Sequence, residues 1–177
     1  MSFLQAITSG VAEGHLGVYA SAANEARFVD GTATAGAGEI VFGLVGAPAP
    51  AALLARELEL PAGGHLLRLD RVDFPPGGEA FLHTHQGPGI RVLLAGSITI
   101  TTQGTVHTYL PGDPWFETGP DPVHAATHPD EPSAFVRCMV LPAALAGKPS
   151  IRYVRDEDRD RPKTQRYTVF LDEPVTL

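Results

Sequence analysis

Gly77-Gly-Glu-Ala-Phe-Leu-His83-Thr-His85-Gln-Gly-Pro-Gly89-Ile-Arg-Val-Leu-Leu-Ala-Gly96 is the stretch on which the fold turns. Side chains alternate between faces along a β-strand, so in an extended segment the two histidines share a face while Thr84 turns away. Two neutral imidazoles aimed at one point begin a divalent-metal site. Pro75-Pro-Gly-Gly78, Gln86-Gly-Pro-Gly89 and Gly96 bracket the apolar runs with turn residues, which delimits short strands.

Outward from this stretch the same rhythm repeats. His65 to Phe74, Glu79 to His85, Ile90 to Ala95, Ser97 to Thr102, Thr105 to Leu110, Trp115 to Thr118, Val123 to His128 and Ser133 to Leu141 are expected strands. Many short strands at this spacing argue a β-sandwich or barrel. Upstream, Glu39 to Val45 and Arg56 to Leu60 read as further strands, with a short helix as an option at Pro50 between them. Residues 1 to 38 are rich in Ala, Gly and Ser with weak periodicity and are expected to be an irregular segment preceding one domain over 39–177. Downstream, the alternating charges of Arg155-Asp-Glu-Asp-Arg-Asp-Arg161 mark an exposed turn, and Arg166 to Leu171 alternates as a strand.

The central stretch resembles the first motif of the cupin family, G-x5-H-x-H-x3,4-E-x6-G, with Gly77, His83, His85 and Gly96 at the family's spacing. Gly89, or Ile90 at the longer spacing, stands where the family carries its ligating Glu. The family's second motif is less complete: Leu110-Pro-Gly-Asp113 precedes Val123-His124 in the expected order, His128 falls where an Asn is usual, and Gly119 and Asp121 stand where Pro and Gly are usual. The resemblance selects, among all-β architectures, a double-stranded β-helix or jelly-roll barrel with extra N- and C-terminal strands. It also implies a homodimer and a site made by His83, His85 and His124 around one divalent transition metal ion, Fe, Mn, Ni or Zn. Three imidazoles leave coordination positions open for water or substrate.

A three-histidine set is neutral, so the bound ion would keep its double charge and attract an acidic or enolisable ligand. Three-histidine cupins that resemble this pattern include thiol and diketone dioxygenases, so the implied function is an Fe(II)-type dioxygenase or related oxidoreductase acting on a small anionic or carbonyl-bearing substrate. Two alternatives stand beside it. One is a metal-dependent isomerase or lyase, and the other is a non-catalytic module that binds or senses a small ligand, which Gly89 favours.

Gln86 or His128 would be alternative fourth ligands. Arg91, two residues beyond Gly89, either turns its guanidinium inward to clamp an acidic substrate or points outward while Ile90, Val92 and Leu94 fill the core. Tyr109 and Trp115 are candidates for the substrate pocket, against ordinary packing in a β core. Glu79 and Glu117 are the glutamates near the motifs that would replace the missing carboxylate; strand parity sets Glu79 on the face of His83, and both stay outside the expected site. Cys138 alternates within an apolar strand and reads as a small core residue.

The chain has 177 residues and a formal net charge of −7. That balance offers no basic stripe for a nucleic-acid backbone, so the expected partner is a small molecule. No run reaches the length of a membrane span, the opening residues lack the basic region of a signal peptide, and the one cysteine leaves no internal disulfide, so the expected compartment is the cytoplasm.

Overall fold

The computed structural model describes residues 1–176. Among them are fifteen strands and two single-turn 3-10 helices. The first five strands are β1 (Ser2–Ile7), β2 (Val11–Ala20), β3 (Glu25–Thr34), β4 (Glu39–Val45) and β5 (Leu54–Leu58). The next eight are β6 (His65–Phe74), β7 (Glu79–His85), β8 (Gly89–Ala95), β9 (Ile98–Thr102), β10 (Thr105–Tyr109), β11 (Pro114–Glu117), β12 (Val123–Thr127) and β13 (Ser133–Pro142), followed by β14 (Ile151–Tyr153) and β15 (Arg166–Val175). None of the helices in the described residues is long and apolar enough to cross a membrane.

Strand order gives the architecture. Within β6 to β13, the first, eighth, third and sixth strands of the series lie side by side in one sheet (β6-β13-β8-β11), and the second, seventh, fourth and fifth in the other (β7-β12-β9-β10). Two Greek keys wound in this way are a jelly roll. β15 is added beside β6 and β14 beside β7, while the N-terminal strands form a sheet of their own in the order β3-β2-β4-β1-β5.

Residues 1–38 therefore correct the expectation of an irregular segment. They form β1, β2 and β3, because β2 pairs along its whole length with β3 and over His15 to Ala20 with β4. Hydrogen bonding on both sides overrides a weak side-chain pattern. The optional helix at Pro50 is a turn. The charged run 155–161 is exposed apart from Asp158, which is 2% exposed and accepts from Arg161 Nη1 on its Oδ1 at 2.8 Å.

The described residues divide into two compact units, 1–70 with 138–148 and 169–176, and 71–137 with 149–168. The first has a core cluster of Ile7, Leu16, Val18, Val41 and Val45 with smaller residues around them. There Arg68 forms a two-pronged pair with Asp172, at 3.0 and 2.8 Å. The second has a core of Val72, Phe74, Leu93, Ile98, Ile100, Trp115, Val123 and Phe135, with Ala80 and Ala125 between them. The candidate site lies within that second unit.

Candidate functional site

β7 is irregular, and the irregularity aims its histidines. Val123 of β12 stands opposite His83, yet Ala125 stands opposite Ala80, so two steps on β12 span three on β7. The surplus residue is a β-bulge, which changes which side chains face inward. Ala80, His83 and His85 consequently line one cavity, together with Val123 and Ala125. Glu79 is sent to the other face, which corrects the simple parity reading of this strand.

His124, between Val123 and Ala125, shares that other face. Its Nε2 lies 2.7 Å from Glu79 Oε1, and both side chains are partly exposed. The structure thus brings His83 and His85 together, with ring centroids 4.9 Å apart. It does not bring His124 to them, and the expected three-histidine set is corrected on that point: the residues of β12 that face the cavity are Val123 and Ala125. The alternative fourth ligands are also elsewhere. Gln86 Nε2 donates to the Pro149 carbonyl, and His128 Nδ1 accepts the Asp130 N–H in a turn.

What fills the cavity instead is a charged pair and a second guanidinium. Arg91 is 1% exposed and lines the cavity, although Ile90 and Val92 beside it are equally buried. β8 is covered on both faces. Opposite Gly89 in the β8–β11 ladder stands Glu117, and opposite Arg91 stands Trp115. The Glu117 carboxylate receives the Trp115 indole N–H at 2.9 Å on Oε1, and its Oε2 forms an ion pair with Arg91 Nη2 at 2.6 Å, off the ideal hydrogen-bond direction. Arg91 Nη1 donates to the Gly89 carbonyl at 2.6 Å. From β13, Arg137 reaches His85 Nε2 at 3.5 Å and lies over the Tyr167 ring, 5.5 Å from its centroid. Tyr109, an expected pocket residue, does not line the cavity; it stacks on Trp115 at 4.8 Å from the edge strand β10.

Donor chemistry fixes the form of both imidazoles. His83 Nδ1 lies 2.7 Å from the Phe81 carbonyl, which only accepts, so Nδ1 carries the proton and Nε2 keeps its lone pair. A guanidinium only donates, so His85 Nε2 accepts from Arg137 and Nδ1 faces Ser150 Oγ at 3.5 Å. Burial holds the His83 pKa below the usual histidine value, opposed by nearby Glu117, and burial together with Arg137 and Arg91 holds His85 well below it. Both rings are neutral at pH 7.

The residues present do not fit the divalent metal that the motif implies. Among the described residues no group of three His, Cys, Asp or Glu side chains is placed to hold an ion. The carboxylate nearest the histidines, 3.6 Å from His85 Nε2, is already engaged by Trp115 and Arg91, and His85's lone pair faces a guanidinium. The positive charge of Arg137 stands at the ring nitrogen that a cation would need.

The cavity is small, about 20 Å3 of space open to the centre of a water molecule. That is room for about one or two water-sized groups. A single carboxylate or carbonyl group matches it. Sequence reading missed Arg137, Ser150 and Tyr167; an arginine inside the apolar run Ala134 to Leu141 was the available signal, since such a charge is buried only with partners.

No family model matches this chain, and no curated protein matches it. Solved structures similar to it include the polyketide cyclase RemF from Streptomyces resistomycificus, at 22% identity over 53% of this chain and 63% of that one, with a TM-score of 0.42. Another is a sugar phosphate isomerase from a cupin superfamily from Silicibacter pomeroyi, at 19% identity over 42% and 50%, TM-score 0.37. A third is an RmlC-like cupin from Shewanella frigidimarina, at 18% identity over 46% and 79%, TM-score 0.36. This chain therefore spans less than two thirds of RemF. Strand order, not these likenesses, gives the jelly roll.

Proposed function

We propose that this chain is a cupin-like jelly-roll protein that binds the acidic or carbonyl end of a small molecule through guanidinium groups in place of a metal. The observation that carries the reading is the charge of the cavity wall, two buried guanidiniums, Arg91 and Arg137, against the one carboxylate of Glu117 that pairs with Arg91, beside two neutral imidazoles. Planar N–H donors suit a carboxylate or enolate oxygen, and they act strongly where water is excluded. His83 Nε2, with its lone pair uncommitted to the backbone, is positioned to hold a proton of such a ligand. For a carbonyl compound with an acidic C–H, the proton would pass to Nε2 and the electron pair to the oxygen held by the arginines. Binding alone needs none of that step.

The experiment uses Trp115, the only tryptophan, whose indole donates to Glu117 at the cavity. Titration of its fluorescence with acetate, pyruvate and acetylacetone should give saturable changes with at least one of them. Arg91→Met and Arg137→Met should each weaken the response about tenfold or more, the cost of one charge-assisted hydrogen bond. Metal below about one-tenth equivalent after purification, unchanged by added Fe, Mn, Ni or Zn, belongs to the same expectation. A tightly held stoichiometric ion would overturn it.

A second reading keeps the metal, and one observation favours it: His83 Nδ1 is tied to a carbonyl, the usual support of a ligating imidazole. Glu117 would then have to exchange Arg91 for an ion, and a dioxygenase, isomerase or lyase would be the activity class. Metal analysis separates the two readings. The homodimer is likewise part of the proposal, checked by light scattering.

A further inference from the structure

The ladder between β2 and β4 stops early. It runs from Ala20 opposite Glu39 to His15 opposite Leu44, while β2 continues to Val11 paired with β3. Extending the β2–β4 register would set Glu13 against Gly46 and Val11 against Pro48. Proline has no N–H to contribute, and the chain beyond Val45 peels away. Gly14 stands at the fork with a φ of +149°, where a Cβ would collide with the Leu44 carbonyl oxygen.

Between the separated strands lies a groove of about 640 Å3, with Val11, Ala12 and Glu13 on one side and Gly46, Ala47 and Ala49 on the other. Register decides which backbone groups face it. The Gly10 carbonyl accepts the Ala35 N–H at 3.0 Å, so the residues that exchange bonds with β3 are Gly10 and then Ala12 and Gly14. The N–H and C=O groups of Val11 and Glu13 point the other way, into the groove. Gln5 also lines it, 1% exposed. Its Oε1 accepts the Ala49 N–H at 2.7 Å, which fixes the amide's orientation, and its Nε2 has no acceptor among the described residues. A buried amide donor of this kind calls for a partner.

We propose that this groove binds a short extended peptide, which enters as a strand alongside Val11 to Glu13. Its main chain exchanges hydrogen bonds with Val11 and Glu13, and a slight outward give of the Ala49 wall lets one of its carbonyls reach Gln5 Nε2. This is strand addition to a free sheet edge. Walls of Ala12, Ala47 and Ala49 admit small side chains, and the Glu13 carboxylate favours a positively charged peptide end.

The test is a 15N NMR titration of the full chain with Ala-Ala-Ala-amide carrying a free amino terminus. Saturable shifts in the millimolar range, centred on Val11, Ala12, Glu13 and the Gln5 side-chain amide, are expected. Ala47→Phe fills the groove from its exposed wall, and Gln5→Glu keeps the acceptor for Ala49 while removing the donor; each should weaken binding about tenfold or more. A dispersed spectrum shows that each variant is folded, and Ala47→Phe alone decides if Gln5→Glu is not. The proposal fails if no saturable shift appears, if the shifts map elsewhere, or if the folded variants bind as tightly as the parent.

Discussion

Glu117 stands directly across the β8–β11 ladder from Gly89, and its carboxylate pairs with Arg91, two residues beyond that glycine, at 2.6 Å. The acid that the motif lacks on its own strand is therefore supplied from the neighbouring one, but it faces a guanidinium. Cross-strand neighbours are close enough for such an exchange, since directly opposed residues have their Cβ atoms about 5 Å apart.

This pair should be costly to break and cheap to remove whole. Glu117→Ala leaves the Arg91 charge buried and should lower the unfolding free energy by about 3–5 kcal/mol, whereas Arg91→Met with Glu117→Leu should recover most of it. Urea unfolding of the three variants measures this. Equal loss in single and double variants would contradict a mutually dependent pair.

The two cavity histidines should leave a signature in pH. Their folded pKa values lie below the ordinary value of 6.5. Below about pH 6.5 the unfolded chain binds protons that the folded one refuses, so stability falls with acidification, by up to about 1.4 kcal/mol per pH unit for each group. Above that pH the contribution is full and flat. His83→Gln with His85→Gln should remove this part of the slope below about pH 6.5, as read from unfolding at several pH values; an unchanged slope would refute the assignment.

His124 should be dispensable for the cavity. Its pair with Glu79 is half exposed on the other face, so His124→Ala should cost no more than about 1 kcal/mol and leave ligand-induced Trp115 fluorescence changes intact. His85→Ala should alter them. Loss of the response in His124→Ala would restore the three-histidine reading.

Gly96, a fixed position of the motif, should prove structural. Its φ is +68° and a Cβ there would collide with the Pro132 carbonyl oxygen. Gly96→Ala should therefore destabilise by more than the about 1–2 kcal/mol of a left-handed conformation alone, measured by thermal unfolding; a smaller loss would contradict the collision.

Cys138 is fully buried, and burial pushes its thiol well above the ordinary range. In the native protein it should resist a disulfide reagent at pH 8 and react only at the rate of unfolding. Rapid labelling of the folded chain would show otherwise.

How much of this was legible beforehand differs by region. From Glu39 onward, alternation and turn residues located most of the strands to within a few residues; β14 was not among them, because a strand of three residues is too short to show a period. In β2 the run Val11-Ala-Glu-Gly-His-Leu-Gly hides that alternation, and ladder bonds to two neighbours decide its state. At the site, the shared face of His83 and His85 followed from spacing alone. The place of His124 did not, because its inward or outward orientation depends on register with a bulged partner. Glu117 was visible as a candidate, but only pairing with Gly89 distinguishes it from Glu79.

The unpaired step in β7 reaches further than strand geometry. The register passes over Phe81 and Leu82, and it is the Phe81 carbonyl that accepts the hydrogen bond of the His83 ring N–H. Shortening the strand by one residue there would close the ladder neatly while withdrawing that acceptor, and the imidazole would then interconvert between its two prototropic forms. The acid–base identity of the cavity is thus written in a flaw of backbone spacing.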